Sequence, residues 1–391
     1  MILTSFFPPD SRVEKEAASL ANEGHEVHIL CYSKLNQKKV EIFKYYTVHR
    51  INCSKFFINK LSAIALLVPF FFNKWKREIN KLILKYDINA IHVHDLPLCK
   101  VGYYFKKKFG CKLICDQHEF YSDWIKKTAH MNTQIGKLVS KFSNWEKYEK
   151  KYLELADLVI TVAEPLRKNY LEKYKLLENR IITVPNTPAR KIYNLNNVDK
   201  RITEKYRTDF IIFYAGGIDI LRGIDTAIIA LKKIKREIPN AKILLCGKIV
   251  KPYDPFKTAK EYSLEDSVIF DGWIKEEDLP SYIAASDVCF FTPPASREEI
   301  NKTIATKIYQ YAVMQKPIIV SDAQMMKEFV EKNKLGLAIK TGDSNGFADA
   351  VIEIEKNRNK YSNNTFNLSN EYFWENTVQE LINKYKILNH Y

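Results

Sequence analysis

Residues 302–322 read KTIATKIYQYAVMQKPIIVSD. Thr303, Thr306 and Lys307 lead into the run Ile308-Tyr309-Gln310-Tyr311-Ala312-Val313-Met314, whose apolar spacing predicts a helix. Lys316-Pro317 breaks that helix and delivers the chain into Ile318-Ile319-Val320, a buried strand ending at Ser321-Asp322. A helix that begins with free N–H groups, a hydroxyl and a lysine is a cradle for phosphate. Gln310 lies one turn further in, where a nucleoside's sugar would rest beside that phosphate.

Working outward, the grammar repeats. In the first half, Ile2–Phe6, Val27–Cys31, Ala90–Val93, Leu113–Cys115, Leu158–Thr161 and Ile181–Val184 read as strands. Helical patterns fall between them, over Glu14–Asn22, a long stretch across 60–85, Cys99–Phe109, Lys137–Leu155 and Glu164–Tyr174. In the second half the strands are Phe210–Tyr214, Ala241–Cys246, Val268–Phe270, Val288–Phe291, Ile318–Val320 and Leu337–Ile339. Helices such as Thr226–Glu237, Glu277–Ala285 and Thr306–Met314 join them. Strand–helix alternation with short polar joints argues for parallel, doubly wound sheets covered on both faces. A chain of 391 residues is long enough for two such domains. We expect them at 1–195 and 208–368, with Pro188–Arg201 as a polar hinge and 369–391 as a closing amphipathic helix. That helix, over Glu371–Leu388, would carry Phe373, Val378, Leu381, Ile382 and Tyr385 on one side.

Composition narrows the functional classes. At 46% hydrophobic and 13% aromatic residues, the chain has ample core material. Its seven cysteines are scattered through apolar runs without metal-ligand spacing, which reads as buried thiols in a reducing compartment. The first residues already look like a strand rather than a signal peptide, so the expected location is cytoplasmic. The longest uncharged apolar run, Leu61–Phe72, has twelve residues and a proline, whereas a bilayer span needs about 20. Lys55, Lys60, Lys74, Lys76 and Arg77 flank it, as in an interfacial helix that dips into headgroups; a core helix with lysine ends reads the same way. The net charge of +15 comes from lysines spread along the chain, without the aromatic-interleaved basic stripe of a nucleic-acid reader. It points to solvated faces, an anionic membrane surface or phosphorylated substrates rather than nucleic acid.

Three further motifs carry chemistry. Pro9-Asp10-Ser11-Arg12-Val13-Glu14 precedes a helix that Asp10 or Ser11 can cap, and Gly24-His25-Glu26-Val27 follows it. His92-Val93-His94-Asp95 and Asp116-Gln117-His118-Glu119 stand at two strand ends. Alternation puts His92 and His94 on one sheet face, as in metal-dependent hydrolases, but a further histidine and a bridging aspartate are missing. Tyr214-Ala215-Gly216-Gly217-Ile218-Asp219-Ile220-Leu221-Arg222-Gly223 joins a strand to a helix. Its paired glycines admit an anion to the backbone, and Arg222 can clamp phosphate in bidentate fashion. It is not the G-x-G-x-x-G of a dinucleotide site.

Taken together, these strings resemble family-4 glycosyltransferases of GT-B architecture over essentially the whole chain. Residues 305–319 are similar to that family's P-N-K-L-F-E-Y-M-A-x-G-K-P-V-I segment, the opening to its D-x-R-V-x-x-E-A with G-H-E-V, and the histidine motifs to its H-x-H-D-L and D-x-H-E. The resemblance implies two Rossmann-like domains facing a central cleft, the last helix returning to the first. It implies transfer of a sugar from a nucleotide diphosphate donor, with retention and without a metal or other cofactor, to a glycan or lipid-linked acceptor. His118 would bond the donor sugar and Arg222 the diphosphate, as the catalytic pair. Gly216, Gly217, Ile274, Lys302, Thr303, Ile304, Thr306, Lys307 and Gln310 would line the nucleotide. Arg12, facing the cleft, Asp95 and Glu119 would lie on the acceptor side, in a region that often meets the membrane, which makes the protein peripheral there. Three positions depart from the family: Gly217 stands where an arginine is common, and Lys302 and Gln310 replace the glutamates of its Glu-x7-Glu pair. Gln310 can still bond ribose hydroxyls, and Lys302 could neutralise a phosphate. The alternative is a non-catalytic subunit of the same fold that binds a nucleotide sugar or a partner transferase.

Overall fold

The computed structural model describes residues 1–34, 36–54, 57–58, 66, 70–118, 121, 142–361 and 371–389. The chain divides into two compact units, Met1–Pro185 with Val378–Tyr391, and Asn186–Thr377.

The first unit is built on eight strands: β1 (Ile2–Phe6), β2 (His28–Tyr32), β3 (Val40–Ile42), β4 (Thr47–Ile51), β5 (Ala90–His94), β6 (Lys112–Gln117), β7 (Leu158–Thr161) and β8 (Ile181–Thr183). Their order is β3-β4-β2-β1-β5-β6-β7-β8, parallel throughout except for the β3–β4 pair. β2 and β7 are buried at every position, which a parallel sheet covered on both faces requires. Helix α1 (Ser11–Asn22) begins at Asp10, whose side chain accepts from the Val13 N–H at 3.2 Å. Its buried Val13, Ala17 and Leu20 recur at helical spacing and fix the face it turns inward. Helices α2 (Phe70–Tyr86), α3 (Cys99–Phe109), α4 (Phe142–Glu154) and α5 (Glu164–Lys173) follow.

β3 and β4 escape the sequence reading for a physical reason. Val40-Glu41-Ile42 is a short, largely exposed edge, and β4 carries His49 and Arg50 where an apolar run would advertise a strand. Both polar side chains find partners inside, and burial keeps His49 neutral. Arg50 pairs with Glu41 at 2.7 Å, and a ring nitrogen of His49 meets His28 at 3.0 Å.

The second unit holds β9 (Phe210–Ala215), β10 (Ala241–Cys246), β11 (Val268–Gly272), β12 (Val288–Phe291), β13 (Ile318–Ser321) and β14 (Gly336–Ile339) in the order β11-β10-β9-β12-β13-β14, all parallel. Helix α6 (Ile224–Glu237) follows β9 and buries Ile224, Ala227, Ile228, Leu231 and Ile234; helix α7 (Thr306–Val313) precedes β13. Winding runs one way from β9 to β11 and the other way from β12 to β14. The order therefore reverses between β9 and β12, and the carboxyl ends of those two strands frame the crevice where this kind of sheet binds ligands.

Two expectations are corrected. Residues 188–201 are part of the second unit rather than a hinge: the Pro188 carbonyl accepts from the Trp374 N–H at 2.8 Å, and Tyr193 is buried in that unit's core. The expected single helix over 371–388 is broken. A short turn of helix, Trp374–Thr377, ends before Val378, and α8 (Gln379–Asn389) forms the last element. Phe373 packs into the second unit's core, so it does not share a stripe with Leu381 and Tyr385. α8 belongs to the first unit, where the Tyr385 hydroxyl meets His92 Nδ1 at 2.8 Å and Lys386 pairs with Glu23 at 2.8 Å. The apolar segment 61–72 lies mostly outside the described residues, and its last residues open α2. All seven cysteines are free, six of them buried. Among the described residues no helix is long and apolar enough to cross a membrane.

Candidate active site

In the second unit the residues meet at the β9–β12 crevice. Gly216 adopts φ +138, a conformation that L side chains rarely adopt, and any Cβ there would stand 2.7 Å from Lys307 Nζ. Gly223 is held equally tightly: its φ is +73, and a Cβ would meet the Thr292 carbonyl oxygen at 2.2 Å. The loops after β9 and β12 therefore touch through a glycine. Between these glycines the chain makes one 3-10 turn, Ile220–Arg222, capped by Asp219, which accepts from the Leu221 N–H at 2.8 Å. The other oxygen of Asp219 takes Arg222 Nε at 3.0 Å, which leaves both Nη groups with no acceptor among the described residues. The backbone at Gly217 is open, with nothing within 4 Å of a notional Cβ.

Lys307, in the first turn of α7, reaches the same loop. Its ammonium lies 4.1 Å from the ring centre of Tyr214 and 4.4 Å from that of Phe291, a cation–π cage that substitutes for hydration. Burial drives its pKa down to about 7, the charge of Arg222 adding to the effect and that of Asp219 opposing it. No side chain caps α7: Ala305, in extended conformation, stands at its N-cap. The arrangement gathers a guanidinium, an amine and a helix N-terminus with one carboxylate among them, which is the chemistry of a site for a multiply charged anion.

Gln310 sits one turn into α7 and donates from Nε2 to the Tyr193 hydroxyl at 2.5 Å. Tyr193 comes from the stretch read as a hinge, and no periodicity there signals its burial. Lys302 is placed otherwise than expected. It follows the four-residue helix Glu298–Asn301, and its ammonium is paired with Glu298. Thr303 donates to the Glu299 carbonyl at 3.2 Å. Ile274 and Ile304 are half-buried against the core, Ile274 in the loop that leaves β11.

In the first unit the polar groups gather at the carboxyl ends of β5 and β6. Asp116 is the hub. Its Oδ1 accepts from Arg12 Nη2 at 3.0 Å, and its Oδ2 accepts from Arg12 Nε at 3.0 Å and His118 Nε2 at 2.8 Å, with His94 Nδ1 3.2 Å away. Burial would raise the Asp116 pKa, but the charges of Arg12 and His118 outweigh it and hold the carboxyl well below its ordinary range. Arg12, expected to face the cleft, is buried within the first unit. It is 3% exposed; its Nη1 donates to the Val184 carbonyl at 2.8 Å, and its Nη2 lies 3.0 Å from Glu16 Oε1 as an ion pair. A guanidinium spent on two carboxylates and a carbonyl is a positioning group, which acts through Asp116 on His118. His118 itself is partly exposed, and its Nδ1 lies 3.6 Å from Asp95, a residue held at φ +65. Burial opposes the imidazolium, yet Asp116 and Asp95 prevail and lift its pKa to about 9. Glu119 lies outside the described residues.

Glu16, His92, His94 and Asp116 present ligand atoms within 4.8 Å of one another, all buried. The His92 and His94 rings, however, stack at 4.5 Å with an interplanar angle of 14°. Their in-plane lone pairs run side by side instead of converging on one point, as a metal ion would need. Burial and the neighbouring Asp116 lift the Glu16 pKa to about 8, so its carboxyl can retain a proton at neutral pH. The Arg12 guanidinium, 3.0 Å from both Asp116 and Glu16, brings a positive charge to this cluster.

His118 yields a test. A histidine raised from 6.5 to about 9 contributes stability that is complete below pH 6.5 and lost as pH rises through 9. The loss amounts to at most about 3 kcal/mol. Urea unfolding at pH 6 and pH 9.5 should show that fall in the natural chain and a much smaller one in His118→Gln. Equal falls in both would remove His118 from its ion pair.

Comparison with known proteins gives the family and the fold. Residues 11–187 match the family model for Glycosyltransferase Family 4, and residues 196–367 match that for glycosyl transferases group 1. The chain is 20% identical over 359 residues to the N-acetyl-alpha-D-glucosaminyl L-malate synthase of Bacillus anthracis, which covers 88% of this chain and 83% of that protein. Its structure is similar to that of the sucrose-phosphate synthase of Thermosynechococcus elongatus, with TM-score 0.73, 19% identity and coverage of 97% and 93%. It is also similar to HepE of Anabaena in complex with UDP, with TM-score 0.71, 14% identity and 98% of each chain covered. The two family models together take in nearly all of both units, and the chain belongs to the family-4-type glycosyltransferases of GT-B fold.

Proposed function

We propose that this glycosyltransferase takes a nucleoside diphosphate sugar as donor and passes the sugar, with retention, to a hydroxyl of a lipid-linked or surface-polysaccharide intermediate. It works without a metal, in the cytosol beside the membrane. One observation carries the reading: Arg222, Lys307 and the start of α7 meet around the turn at Gly216 and the open backbone of Gly217. The UDP bound in the HepE structure supports it by analogy of fold.

In this reading the acceptor oxygen bonds to the anomeric carbon as the carbon–oxygen bond to the diphosphate breaks, and the acceptor's proton departs on the phosphate. Charge develops on the leaving diphosphate, where fixed cations and N–H dipoles act most strongly. Lys307 supplies the cation that Gly217 omits. The His118 imidazolium donates to a sugar hydroxyl, and Gln310, anchored to Tyr193 through Nε2, offers its carbonyl oxygen to the ribose. A second reading, a subunit that binds without turnover, draws on Lys302: paired with Glu298, it cannot orient the sugar as a carboxylate would. Slow hydrolysis of any donor in a screen of nucleotide sugars favours the first reading, and binding without hydrolysis the second.

Arg222→Ala should weaken nucleoside diphosphate binding by roughly 1.5–3 kcal/mol, the worth of hydrogen bonds to a charged group. Activity should survive EDTA. Unchanged affinity in calorimetry, or loss of transfer on chelation with recovery in Mn²⁺, contradicts the proposal.

Gln310→Glu should bind donor as well as the natural chain or better, since a carboxylate accepts more strongly than an amide. Tyr193→Phe should weaken donor binding in the natural chain, because it removes the acceptor that anchors Gln310 Nε2. Equal affinity in all these forms would mean that residue 310 does not touch the nucleotide.

A further inference from the structure

We propose that Tyr385, on α8, is a positioning residue for His118. Its hydroxyl orders a buried column that runs through His92, Glu16 and His94 to Asp116, the carboxylate that holds His118. The inference rests on the role proposed for His118 at the donor sugar.

The column has two fixed ends. At one, Asp116 is ionised and can only accept, so His94 Nδ1, 3.2 Å from its Oδ2, carries a proton. Burial keeps His94 neutral, which leaves its Nε2 bare. At the other end, burial holds the Tyr385 hydroxyl well above its usual range, so it keeps its proton. It meets Nδ1 of His92 at 2.8 Å, and burial keeps that ring neutral too. Glu16 stands between the two rings, its Oε2 3.5 Å from His92 Nε2 and 4.0 Å from His94 Nε2. With its pKa lifted to about 8, its carboxyl presents one donor and one acceptor at neutral pH. Neither Nε2 has a hydrogen-bonding partner among the described residues.

One arrangement gives every proton an acceptor. Tyr385 donates to His92 Nδ1, His92 Nε2–H points at Glu16, the Glu16 proton at His94 Nε2, and His94 Nδ1–H at Asp116. The two contacts to Glu16 are longer than hydrogen bonds and act as oriented dipoles. The rings thus hold opposite tautomers although they stack at 4.5 Å. A tautomer is set by the bond made at the other nitrogen, and the tyrosine makes the first such bond. The column ends on Oδ2 of Asp116, the oxygen that His118 Nε2 also uses at 2.8 Å. His94 therefore shares that oxygen with His118, whose Nδ1 is left on the side of Asp95. Without the hydroxyl, His92 can carry its proton on either nitrogen, the Glu16 proton can turn toward it, and His94 is free to withdraw its N–H from Asp116. His118 then takes a larger share of the carboxylate and holds its proton more tightly. Among the described residues, the other charged or titratable groups facing the column are Arg12, Asp10, Asp95, the Met1 amine and His25, whose ring meets that of Tyr385 at 5.5 Å.

The test is nitrogen NMR of the full chain with labelled histidine, read without donor, so that a failed search for a donor sugar leaves it intact. At pH 7.5 His92 should carry its proton on Nε2 and His94 on Nδ1, the signals being assigned from their loss in His92→Gln and His94→Gln. In Tyr385→Phe the His92 signals should become those of mixed tautomers. The His118 midpoint, about 9 in the natural chain, should rise there by roughly half a unit, about a threefold gain in proton affinity. Lys386→Ala breaks the 2.8 Å ion pair of α8 with Glu23 but spares the hydroxyl, and it should move none of these signals. Circular dichroism checks that each variant is folded. One tautomer shared by both rings, a His118 midpoint unmoved or lowered in Tyr385→Phe, or an equal shift in Lys386→Ala would each overturn the assignment.

Discussion

A parallel sheet covered by helices on both faces has no room for unpaired charge along its strands, so polar side chains collect on the rim where the strands end. Both units obey this constraint. In the second, Gly216, Ile274 and Thr292 follow the carboxyl ends of β9, β11 and β12. In the first, Asp95 and His118 follow those of β5 and β6, while Arg12 is delivered by the loop after β1. The helices return the chain to the opposite rim, so each successive strand adds its loop on the same side. The candidate site is thus a consequence of winding, and particular residues decide only its chemistry.

Those residues manage charge in opposite ways. In the first unit, Asp116 accepts from Arg12 and His118 and so remains ionised although buried. Removing Arg12 would leave a buried carboxylate undercompensated, the costly half of a broken buried pair. In the second unit the balance is left open. Arg222 shares its Nε with Asp219, and Lys307 rests against two aromatic faces and titrates near neutrality. A closed set of charges holds a side chain in place, and an open set waits for an anion. On the proposed reading, this contrast makes Arg12 a positioning group and Arg222 and Lys307 the groups that contact the ligand.

Much of this was legible in the sequence because it is carried by local pattern. Continuous apolar runs such as Val288–Phe291 and Ala241–Cys246 mark strands with their observed limits, and Gly216-Gly217 before Arg222 marks the turn that joins β9 to α6. What the sequence hid depends on contacts distant along the chain. Arg12 reads as a ligand-facing arginine until Asp116 and Val184, more than a hundred residues away, are seen to occupy it. Tyr193 sits in a polar stretch, and its tie to Gln310 spans 117 residues. β4 stayed hidden because Arg50 is paired with Glu41 and His49, kept neutral by burial, meets His28, both partners lying on other strands. The tail read as one helix because its periodicity continues across Val378, although Phe373 and Tyr385 pack into different units. Lys302 was free in the sequence and paired in the fold, its partner Glu298 being one helical turn away.

The claim on which the account turns is that Lys307 awaits the charge of a diphosphate. Isothermal titration of a nucleoside diphosphate at pH 7.5, in two buffers of different ionisation enthalpy, measures it directly. With Lys307 titrating at about 7 in the free protein, binding should take up a fraction of a proton. Lys307→Met should abolish that uptake and weaken binding. Binding without proton uptake, with an affinity indifferent to Lys307→Met, would contradict the account.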